Sequence, residues 1–241
     1  MTMPVAILVG GLAMRLRPLT EDIPKALIPI NGKPFIAHQL ELLKSKDFQD
    51  VVICAWYKGE QIEEFAGNGS RFGLNIHYSY DGPEPLGTGG AVRKALPLLG
   101  EAFFVLYGDS YLPIDYSKVE TAFHESGKDA LMTVYRNRDE GDSSNVHFEN
   151  GRILVYSKVD RSKHMQHIDY GLGAFKSSAL EPFPAAQKHD CWKGCRKFQA
   201  DTAAWLLPHG LQSEWMHCDP NILKYFLVSI NLNQNRNKNG R

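Results

Sequence analysis

Residues 4–9, Pro-Val-Ala-Ile-Leu-Val, form an apolar run that stops at Gly10-Gly11. A strand without polar alternation is buried on both faces, which requires helices covering each side of its sheet, and the glycine pair marks a tight turn at its end. The segment 34–46 begins with Pro and is apolar at 35, 36, 40, 42 and 43, an amphipathic helical spacing. A strand at 51–56 follows, then a short helix at 59–66, an alternating strand at 74–80 and a helix at 90–98 that Pro97 interrupts. Residues 102–107 make another buried strand, which ends at Gly108-Asp109. The order β-α-β-α-β-α-β predicts an open α/β sheet with right-handed crossovers, whose ligands bind outside the carboxyl ends of the strands. Asp109 stands at such an end.

From residue 130 the pattern changes. Strands at 130–135, 145–148, 152–156 and 169–175 include a pair joined by Glu149-Asn150-Gly151, the signature of an antiparallel hairpin, so the sheet is expected to be mixed. A chain of 241 residues suits one sizeable domain. With Lys+Arg and Asp+Glu both at 27, the net charge is zero, which argues against a general nucleic-acid binder and confines any phosphate binding to a local site. No run approaches the roughly 18 apolar residues of a membrane helix, and the first residues have neither a basic leader region nor a small-residue cleavage site. Four irregularly spaced cysteines do not suggest a disulfide framework. These features lead to the expectation of a cytoplasmic protein that does not engage membranes.

Composition shifts near Lys188. Residues 188–241 hold three of the four Cys and three of the four Trp, and close on the polar stretch Asn-Leu-Asn-Gln-Asn-Arg-Asn-Lys-Asn-Gly-Arg. The expected division is a domain at 1–187 and an atypical, poorly ordered tail at 188–241. The tail is either a small appended unit or sequence that did not evolve with the preceding domain, as a shifted reading frame would produce. His189, Cys191, Cys195, His209, His217 and Cys218 are zinc-compatible, but their spacing matches no paired short-loop finger.

Directly after the first strand come Gly10, Gly11, Arg15, Arg17 and Lys25. Glycines let backbone N–H groups approach an anion, and guanidinium and ammonium groups supply the charge that a triphosphate demands. Neither GxxxxGK[ST] nor GxGxxG is present. Taken whole, GGLAMRLRPLTEDIPKALIPINGKPFI resembles the signature of the sugar-1-phosphate nucleotidyltransferases, the nucleoside-diphosphate-sugar pyrophosphorylases. Three further segments agree in order: Pro85-Leu86-Gly87-Thr88-Gly89-Gly90-Ala91, Tyr107-Gly108-Asp109 and Asp169-Tyr170-Gly171. The resemblance covers residues 4 to about 183.

The resemblance implies a Rossmann-like three-layer α/β/α sandwich with a mostly parallel mixed sheet, the nucleotide-diphospho-sugar transferase fold. It also implies transfer of a nucleotidyl group from a nucleoside triphosphate to a sugar 1-phosphate, with release of pyrophosphate. By the same resemblance, Arg15 holds the β- and γ-phosphates and Lys25 neutralises charge at the α-phosphate. Gly10 and Gly11 pass close to ribose and phosphates, while Glu84, Gly87, Thr88 and Gly89 edge the base. Asp109 is the expected Mg²⁺ ligand, since that ion prefers hard carboxylate oxygens together with substrate phosphates. Lys158 is placed on the phosphate of the sugar, and Asp169, Tyr170 and Gly171 line the sugar pocket.

The sequence departs from the pattern at Ala13 and Met14, where the family has Gly and Thr, and at Ser157, where it has Glu. A second acidic metal ligand is missing after residue 180, and Asp201 and Asp219 lack the glycine that should follow it. The coincidence of this gap with the composition shift favours a frame disruption or unrelated extension over a designed active-site variant. The short length resembles compact members acting on heptose 1-phosphate or N-acetylmuramate 1-phosphate, so D-glycero-D-manno-heptose 1-phosphate with GTP is the expected pair. The product would serve lipopolysaccharide, capsule or cell-wall recycling. The alternatives are a catalytically impaired nucleotide-binding protein without the second metal ligand, or a uridylyl- or cytidylyltransferase for another phosphate monoester. If the chain self-associates, a homodimer is the expected form.

Overall fold

The computed structural model describes residues 3–137, 143–159, 162–184, 188 and 202–206. In chain order the elements are β1 (Val5–Leu8), α1 (Leu19–Asp22), β2 (Pro29–Ile30), β3 (Lys33–Pro34), α2 (Phe35–Ser45), β4 (Asp50–Ala55), α3 (Gly59–Ala66), β5 (Asn75–Tyr80), α4 (Gly87–Ala95), β6 (Ala102–Tyr107), α5 (Tyr116–Ser126), β7 (Ala130–Arg136), β8 (Val146–Glu149), β9 (Arg152–Tyr156), β10 (His167–Lys176) and β11 (Thr202–Leu206).

Nine strands form one sheet in the order β5-β4-β1-β6-β10-β7-β11-β9-β8. Strands β9 and β10 run against the others, so the sheet is mixed as expected. β1 lies between β4 and β6, parallel to both, with Leu8 beside Cys54 on one side and Tyr107 on the other. Its Val5, Ala6 and Ile7 are fully buried because the two faces serve two cores. Val5, Ile7, Val51, Ile53, Phe104 and Leu106 pack with residues of α2, α3 and α5, while Ala6, Val52, Cys54, Phe103 and Val105 pack with Ala91, Val92 and Ala95 of α4. This is a three-layer α/β/α sandwich, with strand alternation dividing apolar side chains between the layers.

Helix α5 has no counterpart among the elements expected from sequence. Asp115 caps its start, accepting a hydrogen bond from the Lys118 N–H, and Gly127 ends it in the left-handed conformation, an N-cap worth about 1 kcal/mol and a common C-terminal stop. The Tyr116 ring meets Phe48 and Phe104 edge-on, with centroids 5.1 and 5.9 Å away. Each such pair adds about 0.5–1.5 kcal/mol beyond its buried area. The β2–β3 hairpin is a second addition, turned by Asn31 and Gly32 at positive φ.

The expected boundary at 187 is crossed by the sheet. Strand β11 pairs parallel with β7 from Thr202 beside Ala130 to Leu206 beside Val134, and also touches β9. Asp201, Asp219 and the zinc-compatible residues of the tail lie outside the described residues. Among the described residues no helix is long and apolar enough to cross a membrane.

Candidate functional site

The carboxyl ends of β1 and β6 meet because Gly108 follows β6. Its N–H donates to the Leu8 carbonyl at 2.9 Å, and a Cβ there would run into that carbonyl and Val9. The turn Tyr107-Gly108-Asp109-Ser110 is closed by Ser110 N–H donating to Tyr107 O at 3.0 Å. Asp109 is thereby held at the strand end, where its Oδ2 accepts from Lys25 Nζ at 2.8 Å across 84 positions of sequence. Its side chain remains about half exposed.

The loop from β1 to Lys25 is shaped by local contacts. Ala13 adopts the left-handed conformation, φ 45 and ψ 44, which a glycine would adopt without a Cβ penalty. Thr20, which is buried, donates from Oγ1 to Ala13 O at 3.1 Å, and Tyr57 donates its hydroxyl to the carbonyls of Thr20 and Glu21. Gly10 is pressed against Trp56, whereas a Cβ at Gly11 would meet nothing within 4 Å. Arg15 is exposed and makes no hydrogen bond or ion pair among the described residues.

Gly87, Thr88 and Gly89 form the first turn of α4 rather than a loop, and Gly89 is buried inside it. The open part of this segment is 81–86, shaped by Asp81, whose carboxylate accepts from the Leu86 N–H at 2.8 Å. Burial raises the Asp81 pKa against the opposing Leu86 hydrogen bond and Lys94 charge. Glu84 is exposed and makes no hydrogen bond or ion pair among the described residues.

On the other side of β6, strand β10 carries a bulge. Its register against β7 shifts between Asp169, opposite Val134, and Gly173, opposite Met132. Buried Thr133 donates to Leu172 O at 2.8 Å inside the irregularity, and Gly171 occupies φ 85 with its N–H donating to Asp169 Oδ1 at 3.0 Å. A Cβ at Gly171 would collide with the Ser110 hydroxyl. Asp169 Oδ2 accepts from the hydroxyls of Tyr107 at 3.0 Å and Tyr156 at 3.4 Å. Burial raises its pKa, against the lowering effects of the Gly171 N–H, Lys158 and the two tyrosines. Lys158 Nζ lies 5.4 Å from the Tyr107 ring centre and 5.9 Å from that of Tyr156, within cation–π range. Tyr170 stacks on Tyr135.

Of the expected residues, Lys25, Asp109, Asp169, Gly171 and Lys158 are brought together on both sides of β6, from Lys25 to Asp109 and then through the turn and Tyr107 to Asp169, Gly171 and Lys158, whereas Arg15 and Glu84 stand apart as exposed side chains. Ser110 and Tyr156 complete this arrangement, and Asp81 shapes the neighbouring loop, without having been expected as site residues; Tyr107 stood in the sequence only as the first residue of the Tyr107-Gly108-Asp109 segment. A turn signal at Asp81-Gly82-Pro83 is the local mark that points to Asp81. Cations and exposed backbone at one end of the row suit a phosphate chain, and an ammonium over two phenols suits a second anionic group.

Residues 5–152 match the nucleotidyl transferase family. The chain belongs to that family. Over 118 residues it is 41% identical to a D-glycero-alpha-D-manno-heptose 1-phosphate guanylyltransferase of Campylobacter jejuni, a match covering 49% of this chain and 52% of that protein. Over 119 residues it is 44% identical to an N-acetylmuramate alpha-1-phosphate uridylyltransferase of Neisseria meningitidis, covering 48% and 50%. The chain spans about half the length of these curated relatives. The crystal structure of HddC from Yersinia pseudotuberculosis superposes with a TM-score of 0.73 at 24% identity, covering 85% of this chain and 90% of that one, a likeness of fold.

Proposed function

We propose that this nucleotidyl transferase family member joins a sugar 1-phosphate to a nucleoside triphosphate, and that the pair is D-glycero-D-manno-heptose 1-phosphate and GTP. The observation that carries the reading is the Lys25–Asp109 pair where β1 and β6 end side by side, with Arg15 exposed on the adjoining loop. In the proposed reaction a phosphate oxygen of the sugar attacks the α-phosphorus, a new P–O bond forms, the α–β bridging P–O bond breaks, and pyrophosphate departs. Such chemistry depends on alignment and on neutralising charge.

Lys25 meets the charge gathering at the α-phosphate, and Arg15 takes the β- and γ-phosphates. Gly10 and the open approach at Gly11 let backbone come close to the chain of phosphates. The 81–86 loop, with Glu84, and the start of α4 at Gly87, Thr88 and Gly89 edge the base. Lys158 binds the phosphate of the sugar, beside Tyr170 and Gly171. The three hydrogen bonds to Asp169 make it the residue that holds Tyr107, Tyr156 and Gly171 in place.

Asp109 fits Mg²⁺ as a single hard ligand. It is half exposed, and its Oδ1 has no hydrogen bond or ion pair among the described residues, which also contain no cluster of three or more carboxylate, imidazole or thiol groups suited to a metal. When bound, the ion supplies charge neutralisation and alignment of the phosphate oxygens. The cytoplasm, where nucleoside triphosphates are plentiful, is the proposed compartment.

The choice of acceptor and base is supported by the likeness to the Campylobacter jejuni heptose 1-phosphate guanylyltransferase. Pyrophosphate release from four triphosphates against heptose, N-acetylmuramate, mannose and glucose 1-phosphates, with and without Mg²⁺, tests it. The expected result is acceptor-dependent, Mg²⁺-requiring release that is fastest with GTP and the heptose. Fastest release with UTP and N-acetylmuramate 1-phosphate overturns the substrate pair. Triphosphate binding without release on any acceptor overturns the activity.

A further inference from the structure

We propose that Gln39, a residue of α2 with no hydrogen bond to Lys25 or Asp109 among the described residues, is a positioning residue for the reaction. Its side chain is 1% exposed on a helix face otherwise given to apolar residues such as Phe35, Ile36, Leu40 and Leu43. The Nε2 group donates to Tyr107 O at 3.1 Å and to Ser110 O at 2.8 Å, the carbonyls at the two ends of the turn that presents Asp109. Of the two ends of the amide only the NH₂ group can donate to both carbonyls, so the amide orientation is fixed by chemistry. Its Oε1 is buried with no partner among the described residues. Burying an amide with one unsatisfied acceptor costs stability, and what the amide gains in return is its two bonds to the Tyr107 and Ser110 carbonyls, which an apolar side chain would leave without this donor.

The clamp acts on more than the turn. Tyr107 reaches from the first clamped residue to Asp169, and Ser110, the last, abuts Gly171. Gln39 thus holds the carboxylate facing Lys25 and the contacts to the β10 bulge in one register. Placement errors of an ångström at a reacting centre cost large factors in rate, so a helix-anchored clamp on this turn acts on kcat rather than on triphosphate affinity. The inference rests on the reading of Asp109 as part of the reaction centre.

The test compares Gln39→Leu, Gln39→Asn and Asp109→Asn with the wild type in the full chain. It measures kcat, KM for GTP and for the sugar phosphate, and amide hydrogen exchange at Gly108, Asp109 and Ser110. The clamp predicts at least tenfold lower kcat for Gln39→Leu, KM for GTP within about twofold, and at least tenfold faster exchange confined to the turn. Gln39→Asn keeps the amide but is one methylene short; it reads the same loss, in smaller degree, should the leucine variant not fold. Wild-type kcat in a folded Gln39 variant, or exchange unchanged at the turn, overturns the inference while an impaired Asp109→Asn leaves the functional reading intact. A fully active Asp109→Asn overturns that reading, and this inference with it.

Discussion

Strands β5, β4, β1 and β6 run parallel between two helical layers, whereas β9, near the opposite edge of the sheet, leaves Leu154 and Val155 46% and 40% exposed. The difference decides where each half can keep polar groups. In β4, β1 and β6 both strand faces are committed to cores, so Arg15, Lys25 and Asp109 are carried on the segments that follow the strands. In the other half the strands themselves carry side chains of the candidate site: Tyr156 ends β9, and Asp169 sits at a bulge of β10. One half offers loop cations and open backbone, the other a carboxylate network that Tyr107 joins from the end of β6. Two anionic substrates of different shape would each find a suitable wall.

The largest expected effect lies in the parallel half. Lys25→Ala and Asp109→Ala should each lower kcat by about 10²–10³, the scale for losing one preorganised charged group at a reacting centre, with the circular dichroism spectrum and Tm little changed. A rate within threefold of wild type in either variant would move the reaction centre away from β1 and β6. The next effect belongs to the antiparallel half. Truncation after residue 187 removes β11 from between β7 and β9. At about 1 kcal/mol per net ladder hydrogen bond the loss is a few kcal/mol, lowering Tm by about 5–10 °C. An unchanged melting curve would mean that β11 contributes nothing to the sheet.

The contrast between the halves also governs what the sequence made legible. An unbroken apolar strand ending in Gly10-Gly11 is a local signal, and so are the strand before Asp109 and the helix over 59–66. The contact between Tyr107 and Asp169 spans 62 positions and depends on β10 lying beside β6, which periodicity does not specify. Helix α5 has only a sparse apolar stripe, Tyr116, Val119 and Phe123, although its caps Asp115 and Gly127 were readable. Strand β11 is hidden in a segment whose composition differs from the rest. Gln39 did leave a trace, a polar residue three after Ile36 and four before Leu43 on the buried stripe of α2, but a single mismatch in a helix says nothing about what the amide meets.

Two smaller effects sharpen the comparison. Asp169 has its pKa raised above 3.8 by burial, so between that value and the raised one the folded protein binds more protons than the unfolded chain, and stability falls as pH rises through the window. Compared with Asp169→Asn by denaturant titration, the wild type should gain relative stability as the pH is lowered through this window. A difference that stays constant with pH would remove the buried carboxylate from the account. Ala13→Gly should relieve the left-handed strain in the β1 loop and stabilise the protein by about 1 kcal/mol, again by denaturant titration. A destabilising Ala13→Gly would mean that the Ala13 methyl is required where it stands.

The central claim is that the two halves divide the substrates. Its most direct measurement is KM for GTP and for heptose 1-phosphate, determined side by side in Arg15→Ala and Lys158→Ala. Loss of a charge-assisted phosphate contact, about 1.5–3 kcal/mol, predicts a roughly 10- to 100-fold rise in KM for GTP alone in the first variant and for the sugar phosphate alone in the second. Equal effects on both substrates in both variants, or the reverse assignment, would contradict it.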